Sequence, residues 1–229
     1  MEQKKKKFRA TIKKKVELDY LLYIPKEYSK KPDRKWPLIL FLHGSEERGS
    51  DLDLLFKNGL PRLLKKRPDF PFIVVSPQCP KDLTWFTKFD DIVALLSKIE
   101  ADYRVDSRRI YLTGLSMGGD GVWHFAAFYP DHFSAIVPIC GSASPFFGFP
   151  ERVKKIVNIP IWVFHGAKDN IVPVKESKNL VRLLKKYNGN VKFTIYPKAG
   201  HDSWTKTYKN EELYKWMLKH KKISRKKDV

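Results

Sequence analysis

The chain has 229 residues with 42% hydrophobic and 14% aromatic side chains, enough to bury a core and too apolar for a disordered chain. Its two cysteines, Cys79 and Cys140, exclude a disulfide framework or a four-cysteine zinc site; no run reaches the roughly 18 apolar residues of a membrane span, and no secretory leader is expected behind the charged opening, which together suggest a cytoplasmic protein. Of the formal net charge of +20, residues 1–15 carry +7 and residues 219–229 carry +5, so more than half of the excess reads as solvated basic ends.

In chain order, Leu18–Ile24 reads as a strand closed by Pro25, and the charged stretch Lys26–Lys35 as a loop. Pro37–Leu42 is a continuous apolar run of strand length ending in His43-Gly44, the pattern of a strand buried on both faces. Phe72–Ser76, Arg109–Thr113, Ala135–Ile139, Ile161–Phe164 and Val191–Tyr196 repeat it. Between them lie stretches with helical spacing, such as Ile92, Leu95, Leu96, Ile99 and Tyr103, or Leu180, Leu183, Leu184 and Tyr187. A last amphipathic helix is marked by Leu213, Trp216, Met217 and His220. This alternation predicts one doubly wound α/β domain over residues 8–220 with a mostly parallel sheet, and basic tails at 1–7 and 221–229.

The chemistry concentrates at strand ends. Gly114-Leu115-Ser116-Met117-Gly118 fits G-x-S-x-G and sits directly between a strand and a helix, the setting in which a sharp turn exposes a nucleophilic serine. Side chains at 114 or 118 are expected to collide with the neighbouring strand and helix. A serine hydroxyl needs a base within hydrogen-bond reach and a carboxylate to orient that base. Asp169 follows the strand Ile161–Phe164, and His201 follows Val191–Tyr196, 53 and 32 residues further along in turn. His43, His124, His132, His165 and His220 compete for the base role, but none follows the last strand. Asp202 is the rival acid, and a turn-forming role is the alternative for Asp169. Two backbone N–H groups must also face the developing oxyanion: Met117 supplies one, and Ser45, with Glu46 second, the other.

Leu42–Gly49, Ser76-Pro77-Gln78 with Trp85, Gly114–Gly119 with Trp123 and Tyr129-Pro130, His165–Asp169 with Val172-Pro173, and Gly200–Trp204 together resemble the α/β-hydrolase superfamily. The likeness is to the compact esterases and predicted peptidases akin to feruloyl esterases, dienelactone hydrolases and the prolyl oligopeptidase catalytic domain. It spans roughly residues 18–220, with the blocks in the family's order. The resemblance implies an eight-stranded, mostly parallel sheet flanked by helices and a Ser-Asp-His triad at Ser116, Asp169 and His201. Two residues depart from it: Glu46 stands where the family often has a small residue, and Asp120 where many relatives differ.

The connection from Gly141 to Pro160 has only 20 residues, so no large cap is expected, and Phe146, Phe147 and Phe149 fall within it. Gln78, Trp85 and Trp204 are candidate substrate-binding residues, with Phe86 beside them and core packing as the alternative. Glu47 and Arg48 are candidates for an ion pair bracing the oxyanion loop. Cys79 and Cys140 are expected to be free thiols. No phosphate loop, metal motif or dinucleotide fingerprint is present, so no cofactor or metal is predicted. The reading is a serine carboxylesterase acting on short-chain or aromatic acyl esters, with a small-peptide or amide hydrolase as the alternative. A non-enzymatic polyanion-binding module is the third reading. Its basic ends lack any nucleic-acid motif, and neither a nucleic-acid nor a membrane partner is expected.

Overall fold

In the computed structural model of the chain, the described residues are 3–143, 145 and 148–222. Seven strands form one sheet in the order β1-β3-β2-β4-β5-β6-β7. Strand β1 (Tyr20–Tyr23) pairs antiparallel with β3 (Ile73–Pro77) at one edge. Strands β2 (Trp36–Leu42), β4 (Val105–Leu115), β5 (Ala135–Ile139), β6 (Ile161–Gly166) and β7 (Val191–Tyr196) continue it in parallel.

All seven residues of β2 are buried, as its unbroken apolar run requires. Leu38, Leu40 and Leu42 join the core under α2 (Phe89–Asp102), α3 (Met117–Phe128) and α4 (Val174–Lys186). Ile39 and Phe41 face the opposite core, under α1 (Gly59–Leu64), α5 (Trp204–Tyr208) and α6 (Glu211–Lys219). The alternation of strand side chains thus gives each sheet face its own helical layer.

The chain leaves β2 toward β3 and leaves the adjacent β4 toward β5, so the connections diverge between neighbouring strands. Such a switch point opens a crevice at the carboxyl ends of the strands. His43-Gly44 and Ser116 both emerge there.

Seven strands are found among the described residues, not the eight that the resemblance implied. The lysine-rich segment 3–19 contains no strand, and its apolar side chains Phe8 and Ile12 are 90% and 88% exposed. That segment is tied down at Lys14, which pairs with Asp91 of α2. The regular structure ends at Lys219, yet Lys222 does not project freely. Its N–H donates to the Arg108 carbonyl and its Nζ to the carbonyls of Asp131 and His132. The remainder of the basic tails, 1–2 and 223–229, lies outside the described residues. Between β5 and β6 the described residues include the 3-10 turn Glu151–Ile156 and show no large cap. No helix among the described residues is long and apolar enough to cross a membrane.

Candidate active site

Strand β4 ends at Leu115 and α3 begins at Met117, leaving Ser116 alone on the turn with φ 52° and ψ −121°. A non-glycine residue held there costs on the order of 1–3 kcal/mol, tolerated where the surroundings over-determine it. The two glycines of the motif are fixed by close approach. A Cβ on Gly118 would lie 2.0 Å from the Leu42 carbonyl oxygen, and one on Gly114 would lie 2.4 Å from that of Gly118. The turn can be this tight only because neither side chain exists.

His201 Nε2 lies 2.9 Å from Ser116 Oγ, and its Nδ1 lies 2.8 Å from Asp169 Oδ2. The two readings of Asp169 are compatible, since its oxygens serve different partners. Oδ1 accepts the N–H groups of Ile171 and Val172 at 2.9 Å while Oδ2 faces the imidazole. Burial opposes ionisation of this carboxyl, but the His201 hydrogen bond and the two backbone N–H groups outweigh it and hold its pKa below the usual carboxylate range. The Asp169 side chain is fully buried, whereas that of His201 keeps 19% exposure. Asp202 is engaged elsewhere, accepting from the Thr205 N–H and hydroxyl at the start of α5.

His165, a competitor for the base role, is buried behind the acid with Nε2 3.1 Å from Asp169 Oδ2. Burial lowers its pKa, so the neutral ring is favoured. Its Nε2 faces the Val172 carbonyl at 2.8 Å and therefore carries the proton, leaving Nδ1 to accept from the Ser177 hydroxyl at 2.8 Å. The sequence offers no sign of this support beyond the nearness of His165 to Asp169.

On the opposite side of Ser116, Ser45 opens a 3-10 turn (Ser45–Glu47) capped by Gly44, and Met117 opens α3. The first N–H groups of a helix have no partner within it. A Cβ on Gly44 would lie 3.6 Å from Ser116 Cβ, so this loop runs directly beside the serine. It is held from below by buried polar side chains. His43 Nδ1 lies 2.6 Å from the Gly44 oxygen, and its Nε2 accepts the Cys79 N–H at 2.9 Å. This fixes the neutral Nδ1–H tautomer, and burial pushes the ring pKa down to about 4.

Gln78 and Trp85 belong to the same support rather than to a substrate wall. Gln78, 2% exposed, donates from Nε2 to the carbonyls of Glu47 and Asp51 at 2.9 and 2.7 Å. Trp85 is fully buried, its Nε1 donating to the His43 carbonyl at 3.0 Å. The Glu47–Arg48 pair does not form. Glu47 accepts from Asn58 Nδ2 at 2.6 Å, while Arg48 donates to the carbonyls of Ser45 and Leu83. Of the three proposed substrate-side residues, Trp204 alone keeps partial exposure, and its ring stands edge-on to His201 with centroids 5.3 Å apart. Phe86 packs against His124, Phe149 is buried, and Phe146 and Phe147 lie outside the described residues.

Two further residues border the site. Asp120, on the first turn of α3, accepts from the Ser142 N–H at 2.5 Å and its hydroxyl at 3.1 Å, joining the serine turn to the loop after β5. Burial pushes its carboxyl up to about 6 despite those hydrogen bonds. Cys79 and Cys140 are both free and buried, and Cys140 adjoins Asp169 and His201.

The chain belongs to the phospholipase/carboxylesterase family, which matches it over residues 70–216. It is similar to a thermostable esterase of known structure, at 35% identity and a TM-score of 0.77, over 90% of this chain and 60% of that one. Among curated proteins it is similar to the bifunctional acetylxylan esterase/xylanase XynS20E of Neocallimastix patriciarum, 23% identical over 64% of this chain and 21% of that protein. A putative carboxymethylenebutenolidase of Escherichia coli (strain K12) is 28% identical over 42% of this chain and 37% of its own length. The chain therefore spans less than two thirds of each of these relatives. The fold and the family match place the chain in the α/β-hydrolase group.

Proposed function

We propose that the chain is a serine carboxylesterase. In this reading His201 Nε2 takes the Ser116 proton as Oγ attacks the ester carbonyl, and Asp169 steadies the imidazolium that forms. The tetrahedral oxyanion is received by the N–H groups of Met117 and Ser45. His201 then protonates the departing alkoxide. It next takes a proton from water as that water attacks the acyl group left on Ser116, and returns the proton to Oγ as the acyl–oxygen bond breaks, which releases the acid and restores the serine. The unbroken hydrogen-bond chain Ser116–His201–Asp169, at a strand-to-helix turn with positive φ, carries the proposal. No cofactor enters it. The test is covalent labelling with a fluorophosphonate, expected at Ser116 and absent from Ser116→Ala. An unlabelled chain that still hydrolysed esters would overturn it.

Short-chain or aromatic acyl esters are the proposed substrates, supported by the short 141–160 connection and by the half-buried Trp204 beside His201. The acetyl group in the name of the Neocallimastix patriciarum relative agrees with a short acyl substrate. Each buried CH₂ contributes about 0.8 kcal/mol only where water is excluded, so kcat/KM should fall beyond acyl chains of about four to eight carbons. A rate rising steadily to long-chain esters would refute the open cleft. Matched esters and anilides measured on one preparation separate esterase from amidase activity.

A further inference from the structure

The proposed ester hydrolysis leaves one reactive group beside it unused. Cys140 follows β5 with φ 41°, is fully buried, and donates its N–H to the Phe164 carbonyl at 2.9 Å. Its neighbour Ile139 supplies the carbonyl that accepts the Ser116 N–H, so the thiol is fixed relative to the serine turn. The sulfur, a carboxylate oxygen of Asp169 and a ring nitrogen of His201 all lie within 4.8 Å of one another. The ring nitrogen facing Asp169 is Nδ1. Ser203, also fully buried, turns its hydroxyl toward the same sulfur and has no nitrogen or oxygen partner among the described residues. A thiol, a carboxylate, an imidazole and an unspent hydroxyl thus converge on one buried spot.

We propose that Cys140, Asp169 and His201 form an inhibitory site for a thiophilic divalent cation such as Zn²⁺. Thiolate, carboxylate and imidazole are zinc's usual donors, and two anionic ligands balance its double charge in a buried setting. Bonds of about 2.0–2.3 Å in a tetrahedron set the donors roughly 3.5 Å apart. The His201–Asp169 contact must open slightly from 2.8 Å and the sulfur must draw in. The sulfur is fully buried, which disfavours a bare thiolate, so a cation binds only by displacing the thiol proton.

The consequence for hydrolysis follows from proton placement and rests on the role proposed for Ser116 and His201. On binding, the thiol releases one proton to solvent and the sulfur–metal bond forms. The His201 proton moves from Nδ1 to Nε2 as Nδ1 becomes a ligand. Nε2 then faces Ser116 Oγ as a donor with no free lone pair, and the serine loses its base while the cleft stays open. Hard cations such as Mg²⁺, which favour all-oxygen sites, should have no such effect.

The test uses the metal-free full chain titrated with Co²⁺ and then Zn²⁺. Co²⁺ should produce a thiolate-to-metal charge-transfer absorption that Zn²⁺ abolishes, and Zn²⁺ but not Mg²⁺ should inhibit ester hydrolysis until a chelator is added. Cys140→Ala and Cys140→Ser should lose the absorption and need more than about tenfold more Zn²⁺ for half-inhibition, each against its own metal-free rate. Cys79→Ala should keep both responses. Absence of the absorption from the unsubstituted chain, or its loss in Cys79→Ala with retention in Cys140→Ser, overturns the site. The absorption without fluorophosphonate labelling of Ser116 would leave the metal site standing and remove the hydrolase reading. Labelling without the absorption would do the reverse.

Discussion

The two sides of the cleft are held by opposite means. On the serine side the side chains proposed to do the chemistry are themselves the struts: Asp169 divides its oxygens between backbone and His201, and His201 bridges to Ser116. On the side proposed to receive the oxyanion, Ser45 and Met117 would offer only backbone N–H groups. The loop bearing Ser45 is fixed by its own His43, anchored to the Cys79 N–H, and by Asn58, Gln78 and Trp85 from other parts of the chain. Where a backbone group performs a function, the residues that matter are the buried polar ones that hold it, and its own side chain matters little.

Substitution on the serine side should have the largest effect. Ser116→Ala or His201→Ala is expected to lower kcat for an activated ester by about 10⁴–10⁶-fold, since these groups act as a unit. Steady-state kinetics and the folded-state circular dichroism of each variant check it. Full turnover by Ser116→Ala would remove the distinction between the two sides altogether.

On the oxyanion side Ser45→Ala should be nearly silent, because its N–H survives, whereas Gln78→Ala should not be. That variant leaves the Glu47 and Asp51 carbonyls without their donor, at a cost of about 1–3 kcal/mol in stability. Loss of an oxyanion donor costs about 10²–10³ in kcat. A donor shifted rather than lost should therefore lower kcat by about 10–100-fold with KM little changed. Thermal unfolding and the kcat-against-KM split, measured together, decide the matter: lost stability with intact kcat would mean that Gln78 supports the fold alone.

The same division explains what could be read from the sequence. Ser116, Asp169 and His201 were legible because each follows an apolar strand, and parallel strands deliver their ends to one edge. Gly114 and Gly118 were legible because a turn this close to Leu42 excludes a Cβ. Gln78 and Trp85 also follow a strand on that edge, but the pattern does not say whether such a side chain turns toward solvent or under a neighbouring loop. Packing of the 43–51 loop over β3 decided that question in favour of burial. The eighth strand came from the resemblance alone, since Phe8, Ile12 and Val16 before Tyr20 stand four residues apart without the alternation of a strand.

Asp120 ties the serine turn to the loop after β5, and its substitution should give a small and pH-dependent effect. Its carboxyl, on the turn that carries Ser116, is bonded to Ser142 on the loop after β5. Desolvation raises its pKa from 3.8 to about 6, with Ser142 and His201 pulling the other way and Glu176 adding to the rise. The folded state therefore holds this proton more tightly than the unfolded state does. Between about pH 4 and 6 the unfolded chain has lost the proton while the folded chain keeps it, so this group's contribution to stability falls as pH rises through that window. Above it the full cost is present, at most about 3 kcal/mol. Asp120→Asn keeps an oxygen acceptor for Ser142 and removes the charge. The variant should be the more stable of the two at pH 8, with its advantage shrinking as the pH is lowered toward 4. Activity should respond in the opposite sense. A carboxylate attracted to His201 favours the imidazolium formed during proton transfer, so the variant should lose about threefold in kcat at pH 8 and less near pH 5, where Asp120 is itself protonated. Chemical denaturation and kcat measured across pH 4–8 check both slopes. A stability difference independent of pH would show that Asp120 is ionised throughout, and that the loop after β5 is held by a charged contact rather than a neutral one.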